Sequence, residues 1–199
     1  MQTALLDTPI GTLTVGATAR GLRLVRFPRD RAGAQDADVG GDVGGDVDGI
    51  IDSAVDGDAG GEQPGGPPSG GKPDRIAEAQ LGEAVQQLRE YFDGTRTTFD
   101  LALDWYGVNG LRLTVLKLLA EVPFGATVTY GDLAKGSGAG LTASQAVGGI
   151  MGSNPLPIVV PCHRVLAADG LGGFGGGLRT KEWLLAWEGV IPPALDWDV

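Results

Sequence analysis

The sequence predicts an α+β chain in two parts: a small sheet-and-helix unit over residues 1–104, and a mostly helical unit over 105–199 with a helix-turn-helix outline. Three observations predict it. Short apolar-rich runs at 12–15 and 22–27 flank a turn that contains Gly21. Leu81, Val85, Leu88 and Phe92 recur at steps of four, three and four, which places them on one helical face. After Trp105-Tyr106-Gly107 the pattern turns helical and stays so, interrupted by glycine-rich turns.

Taken in order, the opening runs form a hairpin, with Gly21 free to adopt a positive backbone angle. From about residue 30 to 74 the chain becomes Asp-Val-Gly-Gly repeats and then Pro-Gly-Gly-Pro-Pro-Ser-Gly-Gly, too polar and glycine-rich to bury a core. It reads as a disordered surface insertion. Its spacing fits neither an EF-hand loop nor a nine-residue repeat, so a solvated linker is favoured over a calcium site. Order resumes at Ile76 with the helix, Gly94 stops it, and Phe99, Leu101 and Leu103 alternate as a half-buried strand.

In the second part 111–121 is helical in pattern, Pro123-Phe124-Gly125 breaks it, and 130–135 begins a short helix. A turn through Gly136, Gly138 and Gly140 then leads to a helix that Thr142 can cap and that runs through Ala146, Val147 and Ile150. Gly148 and Gly149 each lower that helix's propensity by about 1 kcal/mol relative to Ala, a cost that a close-approaching partner would offset. Ile158-Val159-Val160 reads as a short buried strand running into Pro161-Cys162-His163-Arg164. Residues 181–187 form the last helix, with Glu188 at its end.

Composition narrows the function. The net charge of -10 argues against a nucleic-acid partner, because duplex DNA is held largely through Lys and Arg. The average misleads: the acidic excess lies in the insertion, while 107–189 sets Arg112, Lys117, Lys135, Arg164, Arg179 and Lys181 against Glu121, Asp132, Asp169, Glu182 and Glu188. No apolar run is long enough to span a membrane, and residues 1–9 show no signal peptide, so a cytoplasmic chain is expected. One Cys and one His exclude a disulfide framework and a Cys/His metal cluster, so no metal is expected.

The single Cys162 is followed directly by the single His163. An imidazole within reach of a thiol, directly or through one water, can take its proton and make the nucleophile. On the residues alone, Cys162 is equally a small buried hydrophobe, and His163 a turn-capping histidine. Glu188 supplies a carboxylate that would orient an imidazole, or else it is a solvated helix end.

Five blocks carry a resemblance. Pro123-Phe124-Gly125-Ala126-Thr127-Val128-Thr129-Tyr130-Gly131-Asp132-Leu133-Ala134, Ala146-Val147-Gly148-Gly149, Asn154-Pro155, Ile158 through Val165, and Gly173-Phe174-Gly175-Gly176-Gly177-Leu178 through Glu188-Gly189 resemble the methylated-DNA-protein-cysteine methyltransferases, or alkylguanine-DNA alkyltransferases. The match runs from about residue 105 to 189 and is looser before it, at Thr8-Pro9-Ile10-Gly11 and 81–100. The resemblance implies a ribonuclease-H-like first domain and single-use transfer of an alkyl group from the 6-oxygen of guanine in double-stranded DNA to Cys162. It implies no cofactor, no membrane and action as a monomer.

By the same resemblance Cys162 is the nucleophile, His163 the water-mediated base, and Glu188 the group that polarises it. Asn154 braces the turn before Cys162, and Tyr130 donates a hydrogen bond to the departing guanine. Backbone groups around Val165 and Gly175 hold the base, with Phe174 where an aromatic wall is expected and Tyr is common. Thr129, Gln145, Ala146, Gly148 and Gly149 face DNA. The nucleotide must leave the stack to be reached. Gln145 departs from the family, which places at that position an arginine that fills the vacated stack; glutamine lacks the charge and the guanidinium plane. Gly110, Leu111 and Leu113 also depart from the family pattern. The alternatives are a lesion-recognition relative that performs no transfer, a Cys/His hydrolase or acyl-transferase, and, ranked below them, a regulator that senses its own alkylation.

Overall fold

Strands β1 (Gln2–Leu6), β2 (Leu13–Thr18) and β3 (Gly21–Arg26) form an antiparallel sheet in that order, in a computed structural model that describes residues 1–27 and 72–193. The hairpin falls where the sequence places it; β1 is an addition. Gly21 is required twice over. Its φ is +129°, and a Cβ there would lie 2.1 Å from the Ala102 carbonyl oxygen, to which Leu22 N donates at 2.8 Å. The chain crosses too closely for any side chain.

Helix α1 (Lys72–Phe92) covers this sheet with its 84/88/91 face, and Ala84, Leu88 and Tyr91 are fully buried. Gly94, with φ +73°, ends the turn beyond it. The helix begins at Lys72, four residues ahead of Ile76, so the last residues of the expected insertion belong to its first turn; the insertion up to Gly71 lies outside the described residues.

The strand expected at 99–103 is absent. Only Leu103 makes a bridge, parallel to Leu22. The reason is the Gln87 side chain, which donates to Asp100 O at 2.9 Å and accepts from Asp100 N at 2.8 Å, taking the place of a neighbouring strand. Phe99, Leu101 and Leu103 still pack on the core.

Helix α2 (Gly110–Ala120) buries Val115, Leu116 and Leu119. Pro123 to Gly125 turns the chain, Gly125 at φ +75°, into β4 (Val128–Thr129) and α3 (Tyr130–Gly136). Thr129 and Asp132 form a reciprocal cap: Asp132 N donates to Thr129 Oγ1 at 3.1 Å, and Thr129 N donates to Asp132 Oδ2 at 2.9 Å. After the glycine turn, a single 3-10 turn (Leu141–Ala143) runs directly into α4 (Ser144–Gly152).

Thr142 therefore does not cap α4. It sits inside the 3-10 turn, whose Leu141 carbonyl accepts from Ser144 N, so the helix start needs no side-chain acceptor. The expected strand at 158–160 is also absent. Ile158 has φ +74°, Val160 N donates back to Leu156 O at 2.7 Å, and prolines at 155, 157 and 161 remove ladder donors. The run is buried, as expected, but as a turn. It leads to β5 (Val165–Leu166), parallel to β4, and finally to α5 (Leu178–Trp187).

One apolar cluster joins β1, β2, β3 and α1 to the second half through Leu116, Val147, Leu156 and Leu184 among others. Among the described residues no helix is long and apolar enough to cross a membrane.

Candidate active site

Cys162 opens a 3-10 turn (Cys162–Arg164) at the exit of the proline-rich turn and is 7% exposed. Asn154 holds that turn closed from inside. Its amide donates to Val160 O at 2.7 Å and accepts from Leu156 N at 3.0 Å, so the two ends of the loop are fixed to one side chain. The same Asn154 side chain favours the ionised form of Cys162. Burial pushes the Cys162 thiol up, against the pull of Asn154, of backbone N–H groups and of the Lys181 charge. The resting sulfur is a thiol. Its use as a nucleophile requires a base.

His163 is fully buried, with Nε2 2.8 Å from Glu188 Oε1. An ionised carboxylate only accepts, so Nε2 carries the hydrogen and Nδ1 presents a lone pair. Nδ1 has no hydrogen-bond partner among the described residues. Burial holds the imidazole below its ordinary range, as do the charges of Arg164 and Lys181, with Glu188 pulling the other way. A neutral ring with an unpaired nitrogen, on the residue that follows a buried thiol, is able to accept a proton.

Glu188 stands just past the end of α5. Burial alone would raise its carboxyl, but hydrogen bonds from His163 and Arg164, and their charge, bring it down to about 2. Arg164 donates Nε to Oε2 and Nη2 to Oε1, each at 2.8 Å, and Nη1 to Val122 O at 2.5 Å. Tyr91 Oη donates to Oε1 at 2.8 Å, and Gly125 N reaches Oε2 at 3.4 Å. Arg164, Tyr91 and Lys181 were not foreseen as site residues. Arg164 is legible only as a charged residue inside an apolar run, and Tyr91 lies one position from a helical stripe already counted as core.

Lys181 is fully buried in α5, and its ammonium donates to Val165 O at 2.6 Å and also to Leu171 O, with Gly173 O at 3.5 Å. Burial lowers it to about 8, opposed by the charge of Cys162. It fastens β5 to the glycine-rich loop that follows. Tyr130 closes the same side. Its hydroxyl lies 3.4 Å from Gly173 O, and burial, then proximity to Cys162, raises its phenol. Gly172, at φ +72°, passes so near that a Cβ would lie 3.0 Å from the Tyr130 ring.

The structure thus brings Cys162, His163, Glu188, Asn154 and Tyr130 into one neighbourhood. Val165 is buried, with its carbonyl taken by Lys181. Phe174 is half-buried, edge-on to Phe27 at 5.4 Å between ring centroids, and Gly175 is exposed. Gln145 and Ala146 are exposed on α4. A Cβ at Gly148 or Gly149 would meet nothing within 4 Å, so no other group among the described residues approaches that face. Thr129 is occupied in capping α3. Among the described residues no group of three His, Cys, Asp or Glu side chains comes together as a metal site.

Two family models match in tandem: "6-O-methylguanine DNA methyltransferase, ribonuclease-like domain" over residues 1–105, and "6-O-methylguanine DNA methyltransferase, DNA binding domain" over 111–190. A methylated-DNA--protein-cysteine methyltransferase of Methanopyrus kandleri is 41% identical over 122 residues, 61% of this chain and 91% of that protein. Its counterpart in Mycolicibacterium paratuberculosis is 48% identical over 112 residues, 56% of this chain and 67% of that protein. The crystal structure of Mycobacterium tuberculosis OGT in complex with DNA superposes with a TM-score of 0.63 at 31% identity, covering 92% of this chain and 90% of that one. With a ribonuclease-like domain and a DNA binding domain matched in sequence, and Cys162, His163 and Glu188 gathered within the second matched range, the chain belongs to the 6-O-methylguanine DNA methyltransferase family.

Proposed function

We infer that the chain repairs DNA by direct reversal, moving an alkyl group from the 6-oxygen of guanine to Cys162 in a single turnover. The observation that carries this is His163: Nε2 is tied to Glu188 at 2.8 Å, and Nδ1 is left as an acceptor on the residue that follows the chain's one cysteine. The Cys162 proton passes to Nδ1 through a water. The sulfur forms a bond to the alkyl carbon, the carbon–oxygen bond breaks, and the electron pair leaves with guanine. Guanine ends protonated, so S–H and C–O are exchanged for S–C and N–H. Displacement at saturated carbon needs a soft nucleophile held in line, which a thiolate supplies without metal or redox group.

In this reading Asn154 fixes the sulfur, Tyr130 donates to the departing base, and the backbone of Val165 and Gly175 with the ring of Phe174 lines the base pocket. Thr129, Gln145, Ala146, Gly148 and Gly149 present the DNA face. The flipped nucleotide arrives past α4, whose glycines leave room for a backbone phosphate or sugar. A division near residue 105, action as a monomer on double-stranded DNA carrying alkylated guanine, and a cytoplasmic location complete the proposal. The thioether cannot be hydrolysed by this set of groups, so each chain acts once.

The test is intact-protein mass after incubation with duplex DNA carrying one methylated guanine, followed by peptide mapping. One added methyl on the Cys162 peptide, absent from Cys162→Ser, is the expected result. Specific binding with no mass change would overturn transfer in favour of lesion recognition alone.

A further inference from the structure

We propose that Tyr91, delivered from α1 in the ribonuclease-like domain, is a positioning residue for alkyl transfer, its hydroxyl drawing on the Glu188 carboxylate so that Glu188 orients His163 without charging it. This deepens the proposed reaction and rests on it only where rates are read. Three donors converge on one oxygen. Glu188 Oε1 accepts from Tyr91 Oη, His163 Nε2 and Arg164 Nη2, each at 2.8 Å, and Arg164 Nε holds Oε2 at 2.8 Å.

A lone carboxylate beside an imidazole stabilises the imidazolium. An imidazolium has no lone pair to accept a thiol proton. Arg164 spreads over both oxygens and Tyr91 takes a further share of Oε1, the oxygen that faces His163. Lys181 adds a second positive charge toward the ring, and Cys162 is the remaining titratable neighbour. Of these groups Tyr91, Arg164 and Lys181 favour the neutral base, whereas a Cys162 thiolate would oppose them.

Tyr91 is built for a fixed donor. It is fully buried, and its ring packs against Phe92, Phe99 and Phe124 with centroids 5.1, 5.6 and 6.1 Å away. Burial and the Glu188 charge hold its phenol well above the usual range, so the proton stays on. The apolar ring accounts for the packing; it does not account for a hydroxyl aimed at the site from 97 residues away in sequence.

The test is Tyr91→Phe, which keeps the ring and removes the donor. The chain has one histidine, so imidazole 15N NMR reports His163 alone. In the variant the His163 titration is expected to move to higher pH. Its single-turnover rate should fall roughly three- to tenfold near pH 6 and approach the wild-type value in alkaline solution. Site-specific 3-fluorotyrosine at position 91, a stronger donor of nearly the same shape, moves the titration the opposite way and serves if Tyr91→Phe does not fold. Superimposable titrations in folded proteins, or a rate loss of equal size at every pH, overturn the proposal. If the wild-type protein transfers no alkyl group, the titration still decides.

Discussion

The Lys181 ammonium donates to the Val165 carbonyl oxygen at 2.6 Å, from a side chain with no exposed surface. The bond ties α5 to the strand that leaves the Cys162 turn. Lys181→Met keeps much of the stem's packing but leaves the carbonyls of Val165 and Leu171 without this donor. A loss of about 1–3 kcal/mol per unsatisfied group is expected in urea unfolding. Transfer should slow as well, because the same charge favours the Cys162 thiolate. An unchanged unfolding midpoint would show that water replaces the lysine at no cost.

Glu188→Gln leaves Arg164 buried without its counter-charge, so destabilisation of about 3–5 kcal/mol at pH 7 is expected. The acid dependence changes too. The folded protein holds Glu188 at about 2, below the 4.5 of the unfolded chain, so the unfolded state binds more protons between those values. Wild-type stability therefore drops as pH falls from 4.5 to 2. The glutamine variant lacks that part of the fall. His163, held below 6.5, contributes a decline in the same direction at higher pH. Urea midpoints measured at successive pH values separate the two.

Gly149 is exposed, and its Cβ position is empty, so Gly149→Leu has opposite effects on fold and function. Helix propensity favours the variant by up to about 1 kcal/mol. DNA binding should weaken, because the new side chain would occupy the face proposed above to meet the duplex. A melting-temperature gain together with a lower affinity in a fluorescence titration is the expected pair. Unchanged affinity would move the DNA contact off this face.

Gln145→Arg places a cation on a helix that otherwise has no charged residue. Faster single-turnover repair and tighter binding are expected, with a salt dependence steeper by about one counterion per phosphate neutralised. Equal rates and equal slopes would mean that Gln145 performs the stacking role unaided.

How far the sequence could be read depended on whether a residue's role is local. The hairpin around Gly21 and the Cys162-His163 pair are set by neighbours in the chain, and each is where its pattern places it; α1 is also present, but its most buried face is 84/88/91, with Leu81 and Val85 of the expected stripe only half-buried. The strands expected at 99–103 and 158–160 failed because their backbone groups are taken otherwise: the Gln87 amide clamps Asp100, and the proline-rich 156–160 turn closes on itself with Asn154 on Val160 O. No apolar periodicity encodes such a clamp. Tyr91 and Lys181 escaped for the same reason: a tyrosine beside a helical stripe and a lysine in an amphipathic helix look ordinary until a distant carboxylate or carbonyl meets them.

The groups that meet at Glu188 come from 97, 63, 25 and 24 residues away along the chain. Such contacts form late, since each requires a large loop to close first. Until then His163 has no carboxylate to orient it and Cys162 remains an ordinary thiol. The relay that would take the Cys162 proton is therefore complete only when both halves have folded.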